Sequence, residues 1–503
     1  MPLPSTFNLK LSTFGLGLSL NLLDMSVQKH IVILGAGPGG YVAAIRAAQL
    51  GARVTVIESH ALGGVCLNWG CIPSKTLLSV VELGDKVKKA DNMGLFVQGP
   101  VTYDLARMVA RKNSVVATLV KGIATLFKAW NIEHVQGAGS LRDRQTVTVT
   151  AADGSTRDIQ ADAIVIATGS SWPNLPQFPI DGQQLLTSQH LLDLDRIPAS
   201  LLIVGGGVEG CEFAALYSGL GTEVTIVELM TRVLPLEDDD ISSTMQRELK
   251  KRGVTVLTGT TVEKLERSPT AITAHLNDGT QVAAEKLLVS VGRGLNSGGI
   301  GLEQVGVQTG RRGEILVNER METTVPGIYA IGDVVGKVML AHVASAQGKV
   351  SVANIMGHEE TFRYDVVPAG IFTLPEIGRV GLTEQQARER AQAAGQNPDQ
   401  ALRVGRFRYA GLGKAQATGD TTGLFKVIAE SPSGRILGVH IVGAHAADLV
   451  HEAAMAMQAG ATVTQMAGMI HAHPTLAEGL MEAAEDVDGK AIHQIRRKEV
   501  LKS

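Results

Sequence analysis

Residues 63–75, GGVCLNWGCIPSK, place two of the chain's three cysteines five positions apart. Thiols hold metals, act as thiolate nucleophiles, or exchange with disulfides. A structural zinc site asks for four ligands, usually in C-x₂₋₄-C pairs. Cys66 and Cys71 could supply two of them, but Cys211 lies far along the chain within the second dinucleotide motif and no His-x₃₋₅-His partner is nearby, so no metal site is expected. The third cysteine, Cys211, falls within a helical motif, where a small buried packing role is the simplest reading. A redox disulfide fits the close pair better. Five residues of ideal helix rise about 7.5 Å, whereas disulfide-bonded Cα atoms usually lie within about 6.8 Å. The pair therefore cannot sit on one regular helix while the bond is closed. Pro73 suits the first turn of a helix, which places Cys71 just before that helix begins. There the helix dipole and Lys75 favour a thiolate, the form that dithiol exchange needs.

Two further segments must position this chemistry. HIVILGAGPGGYVAAIRAAQLGARVTVIE (residues 30–58) and LLIVGGGVEGCEFAALYSGLGTEVTIVE (residues 201–228) align without a gap. Gly35, Gly37 and Gly40 match Gly205, Gly207 and Gly210, and Glu58 matches Glu228. A lone G-x-G-x-x-G says little. Here each copy lies between a strand and a helix and is followed by an acidic residue 23 positions after its first glycine, which is the full dinucleotide-binding context. The glycines provide the turn, the close approach of pyrophosphate and the tight helix–strand packing. The helix N-terminus offers free N–H groups to the phosphates, and the closing carboxylate accepts from ribose hydroxyls. Glu228 would repel a 2′-phosphate and so predicts NAD over NADP at the second site, although Arg232 four residues on would soften that preference. Each unit also carries a hairpin signal, Asp153-Gly154 and Asp278-Gly279, before a strand that ends at Gly169 or Gly292. The fold class expected is α/β: a doubly wound unit with an inserted β-meander, present twice.

Length and composition agree. A chain of 503 residues exceeds one hydrophobic core, and 45% hydrophobic with 19% charged residues reads as globular rather than disordered. A net charge of −3 favours neither nucleic acid nor an anionic membrane. No apolar run reaches the length of a membrane span, and three cysteines cannot make a secreted disulfide framework, so the cytoplasm is the expected compartment. Residues 1–25 have an apolar middle but one basic residue, Lys10, and no small-residue cleavage site; they read as a disordered extension rather than a targeting signal.

The cysteine segment, the first dinucleotide motif with Glu58, and TTVPGIYAIGDV (residues 323–334) together resemble the flavoprotein disulfide reductases. The likeness covers residues 26–490 and is closest to the dihydrolipoamide dehydrogenases. It implies FAD at the first unit and NAD at the second. It further implies flavin contacts from Thr168, Gly169, Ala341 and Asp333, the last through its GD motif. Cys71 becomes the thiol lying against the flavin, Cys66 the thiol that meets substrate, and Lys75 with Glu212 an ion pair near the reactive flavin nitrogen. HAHPTLAEGLMEA (residues 471–483) supplies His473 as the base and Glu478 as the carboxylate that orients it, with His471 a bystander. By the same resemblance the base serves the other subunit of an obligate homodimer.

The implied domains are FAD-binding at 26–170 and 293–355, NAD-binding at 171–292 and a C-terminal α/β dimerisation domain at 356–490, followed by a basic tail at 491–503. LFKVIAE and RILGVHIVG are expected strands there, and residues 446–460 a helix whose Met455 and Met457 serve the core or a dimer contact. The implied reaction oxidises a dihydrolipoyl group and reduces NAD. With no room for a fused lipoyl domain, that group is expected on a carrier protein: a 2-oxo-acid dehydrogenase complex, the glycine cleavage carrier or another lipoate protein. An NAD(P)H-dependent reductase of another small disulfide is the alternative, and a flavin-containing subunit without turnover a third reading. Three positions depart from the family pattern. Val343 and Gln347 stand where Lys and Glu are common, which leaves a specific role for His342 open. Glu209 replaces an isoleucine and is expected to weaken NAD binding, so that Glu209→Ile would lower KM for NAD.

Overall fold

The computed structural model describes residues 28–495; the expected extension at 1–25 and most of the basic tail lie outside the described residues. Five parallel strands form the first sheet, in the spatial order Ile328–Ala330, Ala163–Ile166, His30–Leu34, Arg53–Glu58, Glu133–Gln136. Such a sheet needs cover on both faces, which explains why its central strands are nearly continuous apolar runs. Ile31, Ile33, Val54 and Val56 pack against Ala43, Ala44 and Ala47 of the first dinucleotide helix, Pro38–Gln49. Val32, Leu34 and Ile57 on the other face meet Val147 and Val149 of a three-stranded meander.

The second sheet repeats this plan. Its parallel order is Thr255–Thr258, Glu223–Glu228, Ser200–Val204, Lys286–Val289, Leu185–Leu186. Leu201, Ile203 and Ile226 face Ala214, Ala215 and Leu216 of the second dinucleotide helix, Val208–Leu220. Leu202, Val204 and Val227 face Ile272 and Ala274 of the second meander. Both Asx-Gly turns form as expected: Gly154 and Gly279 take positive φ, and Asp153 and Asp278 accept from the amides of Ser155 and Thr280.

Beyond residue 367 the chain forms a five-stranded antiparallel sheet, with Leu424–Glu430 and Ile436–Gly443 as neighbouring strands and helix Ala446–Gln458 laid on it. Met457 packs on this core, whereas Met455 is exposed. A buried charge cluster joins this domain to the second unit. Lys426, 2% exposed, reaches Asp238 (2.6 Å), Asp240 (2.8 Å) and Glu384 (2.9 Å), and Arg406 bonds Asp240 and Glu384. Removing one partner from such a cluster would strand buried charge and cost about 3–5 kcal/mol. Among the described residues, no helix is long and apolar enough to cross a membrane.

Candidate active site

Both glycine loops are forced by the same contacts. Gly35 and Gly205 have φ of +100° and +108°, and a Cβ on either would strike the carbonyl of Ala167 or Ser290 at 2.3 or 2.0 Å. A Cβ on Gly40 or Gly210 would strike the carbonyl oxygen of Gly35 or Gly205 at 1.9 or 2.0 Å. The closing carboxylates are anchored alike. Glu58 accepts from the amides of Ala36 (2.7 Å) and His60 (2.8 Å), and Glu228 from those of Gly206 (2.6 Å) and Met230 (2.7 Å). An ionised carboxylate has about four acceptor sites, so each retains capacity for ribose hydroxyls. Arg232 is engaged by Asp239, which commits its charge away from Glu228.

The cysteines occupy two helices rather than one. Gly64–Trp69 carries Cys66, and Cys71 opens Cys71–Lys88 after a break at Gly70. Cys71 is thus the first helical residue, one place further in than the position of Pro73 suggests. Both cysteines are free thiols here. The Cys66 thiol donates to Cys71, and this bond, assisted by Lys75 and opposed by burial, lowers the Cys71 pKa to about 7. The same hydrogen bond and then burial push the Cys66 thiol up. One proton is therefore held on Cys66 while Cys71 becomes the thiolate.

A cavity of about 750 Å³ opens in front of the pair, lined by Gly35, Gly37, Glu58, Cys66, Cys71, Thr168, Gly169, Asp333 and Ala341. Its size and convergent polar groups suit a large cofactor. One turn along the helix from Cys71, Lys75 has its Nζ 2.6 Å from Glu212, whose other oxygen accepts from the Phe372 amide (2.9 Å). Asp333 accepts from Ser170 (2.5 Å), and Thr168 and Asn296 bond each other's backbone carbonyls. Gln347, buried, accepts from the amide of Gly332 beside Asp333 (2.7 Å) and donates to Tyr364 (2.9 Å). Val343 is buried apolar packing, and His342 is bonded to the Pro368 carbonyl. Gly292 takes φ +108° at the end of the second unit, where Gly169 takes +70° in the first.

Sequence reasoning did not find Trp172 and Arg293, which form one wall of the cavity with the guanidinium stacked over the indole at 4.8 Å. Arg293 follows Gly292 directly, but nothing in its local pattern marks its long-range partners. Gly139, from the first meander, is likewise a lining residue without a motif.

His473 and Glu478, the expected base and its carboxylate, do come together. His473 Nδ1 lies 2.9 Å from Glu478 Oε1, and Glu478 Oε2 accepts from the Thr475 amide (2.9 Å). Burial raises the Glu478 carboxyl, but these bonds outweigh it and hold the carboxyl below its ordinary range. The His473 side chain is 74% exposed and is not part of the cysteine cavity within the chain. His471 is packed, 3.0 Å from Glu452.

The sequence pattern of the pyridine nucleotide-disulphide oxidoreductases matches residues 29–348, and that family's dimerisation domain matches residues 367–484. The chain belongs to this family of enzymes. It is 40% identical over 483 residues to a dihydrolipoyl dehydrogenase of Bacillus subtilis, covering 93% of this chain and all of the relative. It is 39% identical over 475 residues to the mitochondrial dihydrolipoyl dehydrogenase of Pisum sativum, covering 93% of each. Among solved structures, LpdA from Mycobacterium tuberculosis superposes with a TM-score of 0.84 at 31% identity, over 91% of this chain and 99% of that one. The flavoprotein disulfide reductase RclA of Escherichia coli gives 0.81 at 28%, over 92% and 99%.

Proposed function

We propose that the chain is an NAD-dependent dihydrolipoyl dehydrogenase acting as a homodimer. Residues 26–170 and 293–355 are its FAD domain, residues 171–292 its NAD domain and residues 356–490 its interface. The observation that carries this reading is the Cys66–Cys71 thiol–thiolate pair opening on a dinucleotide-sized cavity beside Lys75 and Glu212. FAD, bound there, supplies the two-electron relay between thiols and NAD. Gly35, Gly37 and Gly40 leave room for its pyrophosphate and Glu58 takes its ribose, while Thr168, Gly169, Ala341 and Asp333 line the remainder. Gly205, Gly207, Gly210 and Gly292 shape the NAD site, and Glu228, unopposed by the committed Arg232, selects the nucleotide without a 2′-phosphate.

In the substrate half-reaction, His473 of one subunit takes a proton from the dihydrolipoyl dithiol at the other subunit's Cys66–Cys71 disulfide. Glu478 holds Nδ1, so Nε2 receives that proton and the imidazolium is stabilised. The substrate thiolate attacks Cys66 and Cys71 leaves as thiolate; the second substrate sulfur then displaces Cys66 to close the lipoyl disulfide, and its proton ends on the Cys66 sulfur. The Cys66 hydrogen bond, with help from Lys75, favours the Cys71 thiolate, and Lys75, held by Glu212, would place positive charge beside the bound flavin. The lipoyl group arrives on a carrier protein, and the compartment is the cytoplasm.

The test is to mix the purified, flavin-loaded protein with dihydrolipoamide and either NAD or NADP and follow the reduced-nicotinamide absorbance. NADH formation with NAD alone, abolished by Cys66→Ser, is expected. A flavin-bearing protein that reduces neither nucleotide would overturn the reading; rapid reduction of another disulfide by NADH would replace it with the reductase alternative.

A further inference from the structure

Glu209 occupies the first turn of the second dinucleotide helix, between the glycine loop and Glu212 one turn further on. A dinucleotide whose pyrophosphate rests on that loop, and whose ring reaches the Lys75–Glu212 pair, must pass its ring beside Glu209. The carboxylate is held by hydroxyls: Ser188 and Ser290 both hydrogen bond to it, Ser290 at 3.4 Å, and Ser188 is itself fixed by the Trp172 indole N–H (3.0 Å). Arg293, the cation that acts on it, is shared. Arg293 donates to the Ser170 carbonyl (2.7 Å) and hydroxyl (3.1 Å), stacks on Trp172, and is drawn electrostatically by both Glu209 and Asp333. Around this wall three carboxylates, Glu209, Glu212 and Asp333, thus face two cations, Lys75 and Arg293.

We propose that Glu209 makes the nicotinamide pocket discriminate between redox states of its ligand, holding the positively charged ring of NAD⁺ in preference to the uncharged ring of NADH. The inference rests on the second unit binding NAD. The oxidised ring supplies the missing positive charge beside a carboxylate in a partly desolvated pocket, where charge interactions are stronger than in water. The reduced ring does not, so product is released against weaker retention. The expectation from sequence was that this carboxylate weakens NAD binding; beside a positively charged ring the sign reverses.

Isothermal titration of the oxidised, flavin-loaded dimer at pH 8 tests this with three ligands that transfer no hydride to it. These are NAD⁺, the neutral-ring analogue 1,4,5,6-tetrahydro-NAD, and ADP-ribose, which lacks the ring. Glu209→Gln should cut the preference for NAD⁺ over the tetrahydro analogue by about tenfold, equivalent to about 1.4 kcal/mol, with ADP-ribose affinity and flavin content unchanged. Glu209→Ile should shift the ratio the same way. A ratio unchanged within twofold in both variants, with ADP-ribose still binding, overturns the role of Glu209 alone. ADP-ribose failing to bind the unsubstituted protein overturns the NAD site itself, and this inference with it.

Discussion

The two dinucleotide units share a fingerprint and a carboxylate anchor, yet their loops meet different surroundings. A Cβ on Gly64, at the start of the first cysteine helix, would lie 2.7 Å from the Gly37 Cα, and one on Gly39 would touch Ile331 and Ala344 at 3.1–3.3 Å. The first loop is thus roofed by the redox segment and clasped by helix Ala341–Ile355. At the matching position of the second unit, a Cβ on Gly207 would meet nothing within 4 Å, and Val208 is 45% exposed. The same local motif therefore makes an enclosed cradle in one place and an open berth in the other. An enclosed cradle suits a cofactor that stays, and an open one suits a nucleotide that must arrive and leave at each turnover.

The largest effects should separate the units cleanly. Gly40→Ala and Gly210→Ala create nearly identical collisions, at 1.9 and 2.0 Å with a backbone oxygen, but in different sites. The first should purify without flavin and without activity. The second should keep its yellow colour and lose NAD binding, measured by titration; flavin loss from both would erase the distinction. Gly64→Ala, which also strains a φ of +59°, should release flavin as Gly40→Ala does, although it lies outside the fingerprint.

His473 belongs to neither unit, so its removal should touch neither cofactor. His473→Ala should slow reduction of the protein by dihydrolipoamide about 10²–10⁴-fold, the span of general acid–base catalysis. Reduction of the flavin by NADH, followed by stopped-flow absorbance, should be unchanged.

A smaller effect lies at the junction of the units. The Cys71 thiol pKa is lowered to about 7, against 9.0 for a free thiol, so its thiolate grows in as pH rises through about 7 and is lost as pH falls through it. Because the folded value is depressed, the reduced protein's added stability from this group is fully present above the unfolded value and is lost as pH falls through the folded one. Lys75→Met should move the midpoint upward, read as thiolate difference absorbance against pH. An unmoved midpoint would assign the depression to the Cys66 hydrogen bond alone. Least of all, Gln347→Leu should leave the Gly332 amide unpaired and cost about 1–3 kcal/mol in thermal stability, with turnover largely retained.

Much of this molecule was legible because its decisive geometry is local. The positive φ at Gly35, the carbonyl approach at Gly40 and the carboxylate 23 positions on are consequences of one strand–turn–helix, repeated at Gly205, Gly210 and Glu228. The broken helix between Cys66 and Cys71 followed from the reach of a disulfide, whereas the pairing of His473 with Glu478 was legible only through the family resemblance of HPTLAE. Tertiary structure alone decided what these pieces face. Gly64 roofs Gly37, Arg293 stacks on Trp172 beside Glu209, and Lys426 binds carboxylates of two domains, contacts between residues 27 to 188 positions apart. Hydrophobic periodicity and turn chemistry report on a few neighbouring residues. The sharing of one cation between two carboxylates depends on how whole sheets pack, and no single segment carries that information.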